Sequence, residues 1–272
     1  MLYALLCIAR YYGIHGIVYT LVITRFIKKG KTMSIQSYLT DSFGYTNNGL
    51  IGHWKRWFIL IIGSIIFPIM NGYSVRVMEG KEPAPELGSI VSLFIDGLKL
   101  FVIQVIYLII PVLVLVFTSV LAVIMTFPDS GALELQLESS QNPFILFEIF
   151  PGLIGSVALF LILAFIALFY GSMGMVRFSR TKRMGDAFSL RELNAHIRRI
   201  GVLPYILALI VIWIITIGIS LLISSISFFG MEADIVSWIL IFVATPYLTI
   251  LSSRYFSLLY DSGNGNCDDE RH

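Results

Sequence analysis

From Leu100 to Thr126 the chain carries no charged side chain, and Gly152–Val176 and Val202–Phe229 are equally free of charge. A fourth run, Ile235–Leu259, holds a single charge, Arg254, and a helix breaker, Pro246. Crossing a hydrocarbon core of about 30 Å takes roughly 20 apolar residues in a helix. Lipid offers no hydrogen bonds to the backbone, so such runs must satisfy their own N–H and C=O groups, as helices do. The four runs therefore predict four transmembrane helices. Pro111 interrupts the first, while Pro204 falls in the first turn of the third, where a missing N–H costs little. Composition closes the soluble alternative: charged residues are 13% of the chain, against about 25% in an ordinary soluble domain. With 14% aromatics the chain would also collapse rather than stay disordered.

A fifth stretch, Phe58–Met78, is less regular, because its apolar run breaks at Pro68-Ile-Met-Asn71-Gly72. It either crosses with a kink at Pro68 or enters and returns as a re-entrant hairpin, with neighbouring helices or water satisfying the freed backbone groups. Residues 1–32 form a doubtful N-terminal segment, too short in apolar length for a span and without the cleavage site of a secretory signal. Lys28-Lys-Gly-Lys-Thr-Met33 reads as a translated ribosome-binding region ahead of a start at Met33. A peptide from Met1–Lys31 in the native protein would rule that out. The expected organisation is one integral membrane domain over 33–260, followed by a polar tail without fixed structure over 261–272. Cys7 and Cys267 stand at opposite ends, which gives no basis for a disulfide or a metal site.

Lys and Arg accumulate in cytoplasmic loops. The segment after the second run holds Arg177, Arg180, Lys182, Arg183, Arg191, Arg198 and Arg199 against Asp186 and Glu192. Phe127–Pro151 and Gly230–Asp234 carry acids and no Lys or Arg. The expected protein is thus a multi-pass cell-membrane protein with the Arg177–Arg199 loop and the C-terminus cytoplasmic. Lys55 and Arg56 would lie outside if the fifth stretch crossed fully, so the charge rule favours the hairpin.

Both halves show one series: an apolar segment, a basic residue, a polar stretch, a short amphipathic segment, then a second basic residue at the mouth of a long helix. Arg76 to Lys99 in the first half corresponds to Arg177 to Arg199 in the second. The spacing suggests a parallel repeat with two short cytoplasmic amphipathic helices, and this repeat favours a full crossing. In the second of these helices, Ser189 and Glu192 have capping-box spacing, and Phe188 can staple onto Leu193. Leu190, Leu193, Ile197 and Ile200 make an apolar stripe, opposite an arc of Arg191, His196, Arg198 and Arg199. That division places the helix in the headgroup layer, with Arg191, Arg198 and Arg199 as a lipid-headgroup or partner surface.

Trp54-Lys-Arg-Trp57, Phe67-Pro-Ile-Met-Asn71-Gly-Tyr73, Arg76-Val-Met78, Glu79-Gly-Lys81 and Phe94-Ile-Asp96-Gly97-Leu-Lys99-Leu-Phe101 together resemble the family catalogued as domain of unknown function 4013. The resemblance covers roughly Ile35–Tyr260, and Asp96-Gly97-Leu98-Lys99 is its most specific piece. It implies a single helical membrane domain, as in the mostly archaeal members of that family. It implies no activity, so no functional residue is carried over.

Among individual residues, Asn71, Asp96 and Lys99 are the candidate polar or transport site, since ionisable or strongly polar groups near the membrane interior are functional candidates by default. The bland alternative pairs Asp96 with Lys99 and gives Asn71 the backbone freed by Pro68. Arg254 reads as snorkelling to the cytoplasmic face, and Glu148 as an interfacial carboxylate. The histidines His15, His53, His196 and His272 fall in four separate segments, without metal-ligand spacing. Gly152/Ser156, Ala167/Gly171 and Ser220/Ser224 read as packing seams. Trp238 and Tyr260 suit aromatic belts, and Trp213 lies too deep for one.

The fold expected is an all-α polytopic transmembrane bundle of about five membrane helices. No catalytic residue, metal, cofactor or nucleic-acid partner is expected. The bilayer is the expected partner, together with another membrane or cytoplasmic protein, and a homo-oligomer stays open. Sparse intramembrane charge and the basic loop favour a non-enzymatic scaffold or accessory subunit. The break at Pro68–Gly72 supports the alternative of a small transporter or channel. A lipid-modifying enzyme stands third.

Overall fold

A computed structural model of the chain describes residues 34–126 and 151–265. Among these residues there are eight α-helices, two short 3-10 turns (Met184–Phe188 and Ser225–Phe229) and no strand. The helices are α1 Ile35–Leu50, α2 Trp54–Ile65, α3 Phe67–Met78, α4 Ile90–Thr126, α5 Pro151–Thr181, α6 Leu190–Ile200, α7 Val202–Ser224 and α8 Met231–Gly265. The expectations for residues 1–32, the late start at Met33, the acidic 127–150 segment with Glu148, and the tail from 266 lie outside the described residues.

Four helices, α4, α5, α7 and α8, are long and apolar enough to cross a membrane, and they coincide with the four apolar runs. At 37 and 35 residues, α4 and α8 extend about 50 Å or more, well beyond a hydrocarbon core of about 30 Å. The surplus length lies at the end that carries the Arg and Lys residues, and the core is built there. Leu93, Leu100 and Ile103 of α4, Met173, Val176 and Phe178 of α5, and Leu251, Tyr255 and Leu259 of α8 are buried. Toward the other end the same helices expose Phe117, Met125, Ile154, Leu161, Leu222 and Trp238. Only 6–22% of each span's most apolar window is buried inside the protein. The protein thus packs on itself at the basic end and leaves its apolar ends for a non-aqueous environment, as a membrane helix requires.

The fifth stretch is two helices. Ile66 leaves helical geometry (φ −89°, ψ 80°), and Pro68 sits in the first turn of α3, where its fixed φ starts a helix instead of kinking one. Asp41 and Asn47 of α1 bond to Arg254 and Tyr247 of α8, so α1 climbs antiparallel to α8. Ser74 and Met78 of α3 bond to Ser253 and Ser257, so α3 descends parallel to it. Helices α1 and α3 therefore run in opposite directions along α8 at its basic end. Helix α1 itself was not anticipated; Ser34 caps it by accepting from the Ser37 amide at 3.3 Å.

Where α3 crosses α4, the two backbones nearly touch. A Cβ on Gly97 would lie on the Pro68 carbonyl oxygen and 2.6 Å from the Gly72 nitrogen, and one on Gly72 would lie on the Leu93 carbonyl. The Asp96-Gly97-Leu98-Lys99 run is thus built around a helix crossing that only glycine permits.

Several local expectations are corrected. Residues 81–89, Lys81-Glu-Pro-Ala-Pro-Glu-Leu-Gly-Ser89, are not helical, because Pro83 and Pro85 remove donors and fix φ. The amphipathic segment expected before Lys99 is helical, but it forms the first turns of α4, which begins at Ile90, and is not a separate short helix. In the second half α6 forms, but Ser189 makes no side-chain cap bond, and the Glu192 carboxylate pairs with Arg177 instead of reaching back to the cap. Phe188 packs on Tyr107, with ring centroids 5.3 Å apart, instead of stapling Leu193. The stripe Leu193, Ile197 and Ile200 is buried in the core beside Tyr205 and Leu259, so it faces protein, not acyl chains. Helix α8 continues through Asp261 to Gly265, so the tail begins later than 261.

Candidate functional site

The α4–α5 and α7–α8 hairpins leave a cleft between them, with α3 as its floor. It measures about 400 Å³, and its lining combines Asn71, Ser74, Gln104, Thr216, Ser220, Thr245, Thr249, Ser252 and Ser253 with the apolar Met78, Leu100, Met175, Leu248 and Phe256, and has no charged side chain. The break at Ile66 places Asn71 in the second turn of α3, and the Asn71 Nδ2 is buried there without a hydrogen-bond partner. An unsatisfied buried amide costs about 1–3 kcal/mol. Thr216 and Ser220 lie one turn apart on α7, and Thr245, Thr249, Ser252 and Ser253 follow on α8. Helical periodicity therefore turns these hydroxyls of two apolar helices toward one space. Ser74 and Ser253 bond across its floor at 2.6 Å.

Beneath the cleft, at the basic end, lies a layer of ion pairs. Arg254, 3% exposed, donates to Asp41 at 2.8 Å and to Glu82, with its guanidinium 4.7 Å from the Tyr45 ring. It ties α1 and the 79–89 loop to α8. This corrects the snorkelling expectation, since the Arg254 charge is neutralised inside the protein. A second cavity of about 610 Å³ adjoins it, lined by residues that include Asp41, His53, Arg56, Glu82 and Glu86, but two of its carboxylates are committed to Arg254. Arg180 reaches Ser257 at 2.8 Å and Asp261 at 2.7 Å. Lys182 reaches Glu79 at 2.5 Å and Asp96 at 3.5 Å. Burial raises the Glu79 carboxyl, but bonds from Lys182 and Lys81 outweigh it and hold the group below the usual carboxylate range.

His196 stacks on Tyr260, ring centroids 4.1 Å apart, and its Nε2 lies 2.8 Å from the Tyr260 carbonyl. Because a carbonyl only accepts, the imidazole donates there. Burial pushes its pKa down, with Arg199 and Arg177 adding to that and the Tyr260 bond opposing it. A histidine with a lowered folded pKa binds fewer protons than its unfolded form below about 6.5. Stability is therefore lost as pH falls through that window and levels off once the folded group protonates. Thermal unfolding in detergent is expected to shift downward from pH 7.5 to 5.5, and less so in His196→Gln. An equal shift in both would assign the acid sensitivity elsewhere.

Of the candidates read from sequence, only Asn71 lines the cleft. Asp96 lies in the ion-pair layer, where it meets Lys182 and not Lys99, and Lys99 is half-buried on the same turn of α4. Arg191, Arg198 and Arg199 are exposed on α6, away from the cleft. Gly152 and Gly171 pack against Ala122 and Tyr107 as seams, whereas Ser220, read as part of a seam, lines the cleft. The remaining hydroxyl residues were missed, although their recurrence at three- and four-residue spacing on α8 was the signal that would have found them.

No curated protein and no solved structure matches the chain. A family model does, over residues 57–228, a shorter span than the Ile35–Tyr260 of the resemblance but one that contains its most specific motifs. The chain therefore belongs to the family described as protein of unknown function DUF4013.

Proposed function

We propose that this chain is a small membrane transporter or channel whose solute site is the cleft between the α4–α5 and α7–α8 hairpins, with the basic end facing the cytoplasm. The observation that carries this reading is the buried, unpartnered Asn71 amide in a hydroxyl-lined space between helices that are otherwise apolar. Hydroxyls and amides at such depth line a path or hold a ligand more readily than they face lipid. A helix break beside the site is the feature that transporters use to bring backbone and polar groups to the midplane. The positive-inside bias orients the Arg177–Arg199 segment toward the cytoplasm.

A scaffold or accessory role has less support than the sequence alone gave it. Arg177, Arg180 and Lys182 are spent on Glu192, Asp261, Glu79 and Asp96 within the chain, and the apolar stripe of α6 is spent on its own core. Arg191, Arg198 and Arg199 are exposed on α6 and offer a surface for anionic headgroups.

Purified protein in liposomes tests the transport reading. Glycerol-driven reswelling, followed by light scattering, is expected to run several-fold faster than in protein-free vesicles and to return to that baseline in Asn71→Leu. Reswelling at the protein-free rate with correctly inserted protein would remove the transport reading.

A further inference from the structure

The chemistry of the cleft defines what it takes, an inference that rests on the site assigned above but not on whether the solute crosses. Four of its hydroxyls have their protons committed. Thr216 donates to the Ile212 carbonyl at 2.9 Å, Ser220 to Thr216 at 2.9 Å, Thr245 to Ile241 at 2.7 Å and Ser252 to Leu248 at 2.7 Å. A hydroxyl has one proton and two lone pairs, so each of these oxygens can offer the cleft only acceptor capacity. One N–H of Gln104 is likewise engaged, on the Met175 sulfur at 3.4 Å. On the donor side the lining holds the Thr249 hydroxyl and the Asn71 carboxamide, whose Nδ2 is buried and has no partner within the protein.

Charge narrows the class further. The lining holds no cation to neutralise an anion, and its acceptor lone pairs would repel one. It holds no carboxylate to neutralise a cation either, and an uncompensated charge in low dielectric is costly. We infer that the cleft binds a small uncharged solute that carries several N–H or O–H donors and at least one oxygen acceptor, the chemistry of a short amide or polyol.

The test reads occupancy, not flux. Thr249→Cys is introduced into a background of Cys7→Ser and Cys267→Ser, and its reaction with a membrane-impermeant thiol reagent is timed in liposomes. Acetamide and glycerol are expected to slow labelling in a saturable way. N,N-dimethylformamide, which keeps the carbonyl and loses both N–H donors, lactate and ammonium are expected not to. Asn71→Leu should weaken the acetamide effect about five- to tenfold, the range expected for one neutral hydrogen bond. Thr245→Val, which removes one acceptor, gives a second reading if Asn71→Leu does not fold. Equal slowing by dimethylformamide or lactate, slowing by none of the solutes, or no labelling at all would overturn the inference. Selective slowing without glycerol flux would keep this site and remove transport, and flux without selective slowing would do the reverse.

Discussion

Gly97→Ala is expected to prevent the protein from reaching a stable fold. The new methyl would occupy the position of the Pro68 carbonyl oxygen and come within 2.7 Å of the carbonyl carbon, and backbone cannot swing aside as the end of a long side chain can. Overpacking of a compliant core costs about 1–3 kcal/mol, and a clash with backbone at a helix crossing lies at or above the upper end. Gly72→Ala meets the Leu93 backbone in the same way. Gly155→Ala is the control, since a Cβ there meets nothing within 4 Å. Size-exclusion profiles and thermal unfolding in mild detergent check this. The two crossing variants should aggregate or melt many degrees lower, and Gly155→Ala should match the parent. A Gly97→Ala protein as stable as the parent would mean that α3 and α4 do not cross here.

The second large effect concerns Arg254. Asp41→Asn combined with Glu82→Gln leaves a guanidinium whose side chain is 4% exposed without a counter-charge. Stranding one member of a buried ion pair typically costs about 3–5 kcal/mol. Arg254→Met alone should cost less, because the carboxylates it abandons are 38% and 64% exposed and can turn to water. Adding Arg254→Met to the double variant should then recover much of the lost stability, a non-additivity that separate contributions would not produce. Thermal unfolding of the four proteins side by side gives the answer, and a triple variant no more stable than the double would contradict the pairing.

The four spans were legible because a charge-free run long enough to cross a bilayer has few other folds open to it. The fifth stretch was half legible: Lys55 and Arg56 argued for a hairpin, while the apparent repeat argued against it. In the first half the amphipathic segment before Lys99 is continuous with α4, whereas in the second half α6 is a separate helix. Arg254 was visible as a charge in a span, yet its role was not, because its partner Asp41 lies on a helix that the sequence does not advertise. That helix, α1, is polar along much of its length, with Gln36, Thr40, Asp41, Asn47 and Asn48, and its apolar periodicity is weak. Asn71 stood out in the sequence as the polar side chain beside the break, and it lines the cleft. The hydroxyls that surround it were passed over, because single Ser and Thr residues in an apolar helix usually bond their own backbone. Four of them do so here as well, so their spacing on α7 and α8 was the one trace they left in the sequence.

Cysteine accessibility along α8 tests the central claim, a polar cleft open to water between apolar spans. With Cys7 and Cys267 replaced, single cysteines at Trp238, Ile239, Phe242, Thr245, Thr249 and Ser252 are treated in liposomes with an impermeant thiol reagent. The cleft-lining positions Thr245, Thr249 and Ser252 are expected to react. Trp238, Ile239 and Phe242, exposed on the protein but outside the cleft, are expected to be shielded by lipid. Reaction at all six positions, or at none of the cleft positions, would contradict a solute site between the two hairpins.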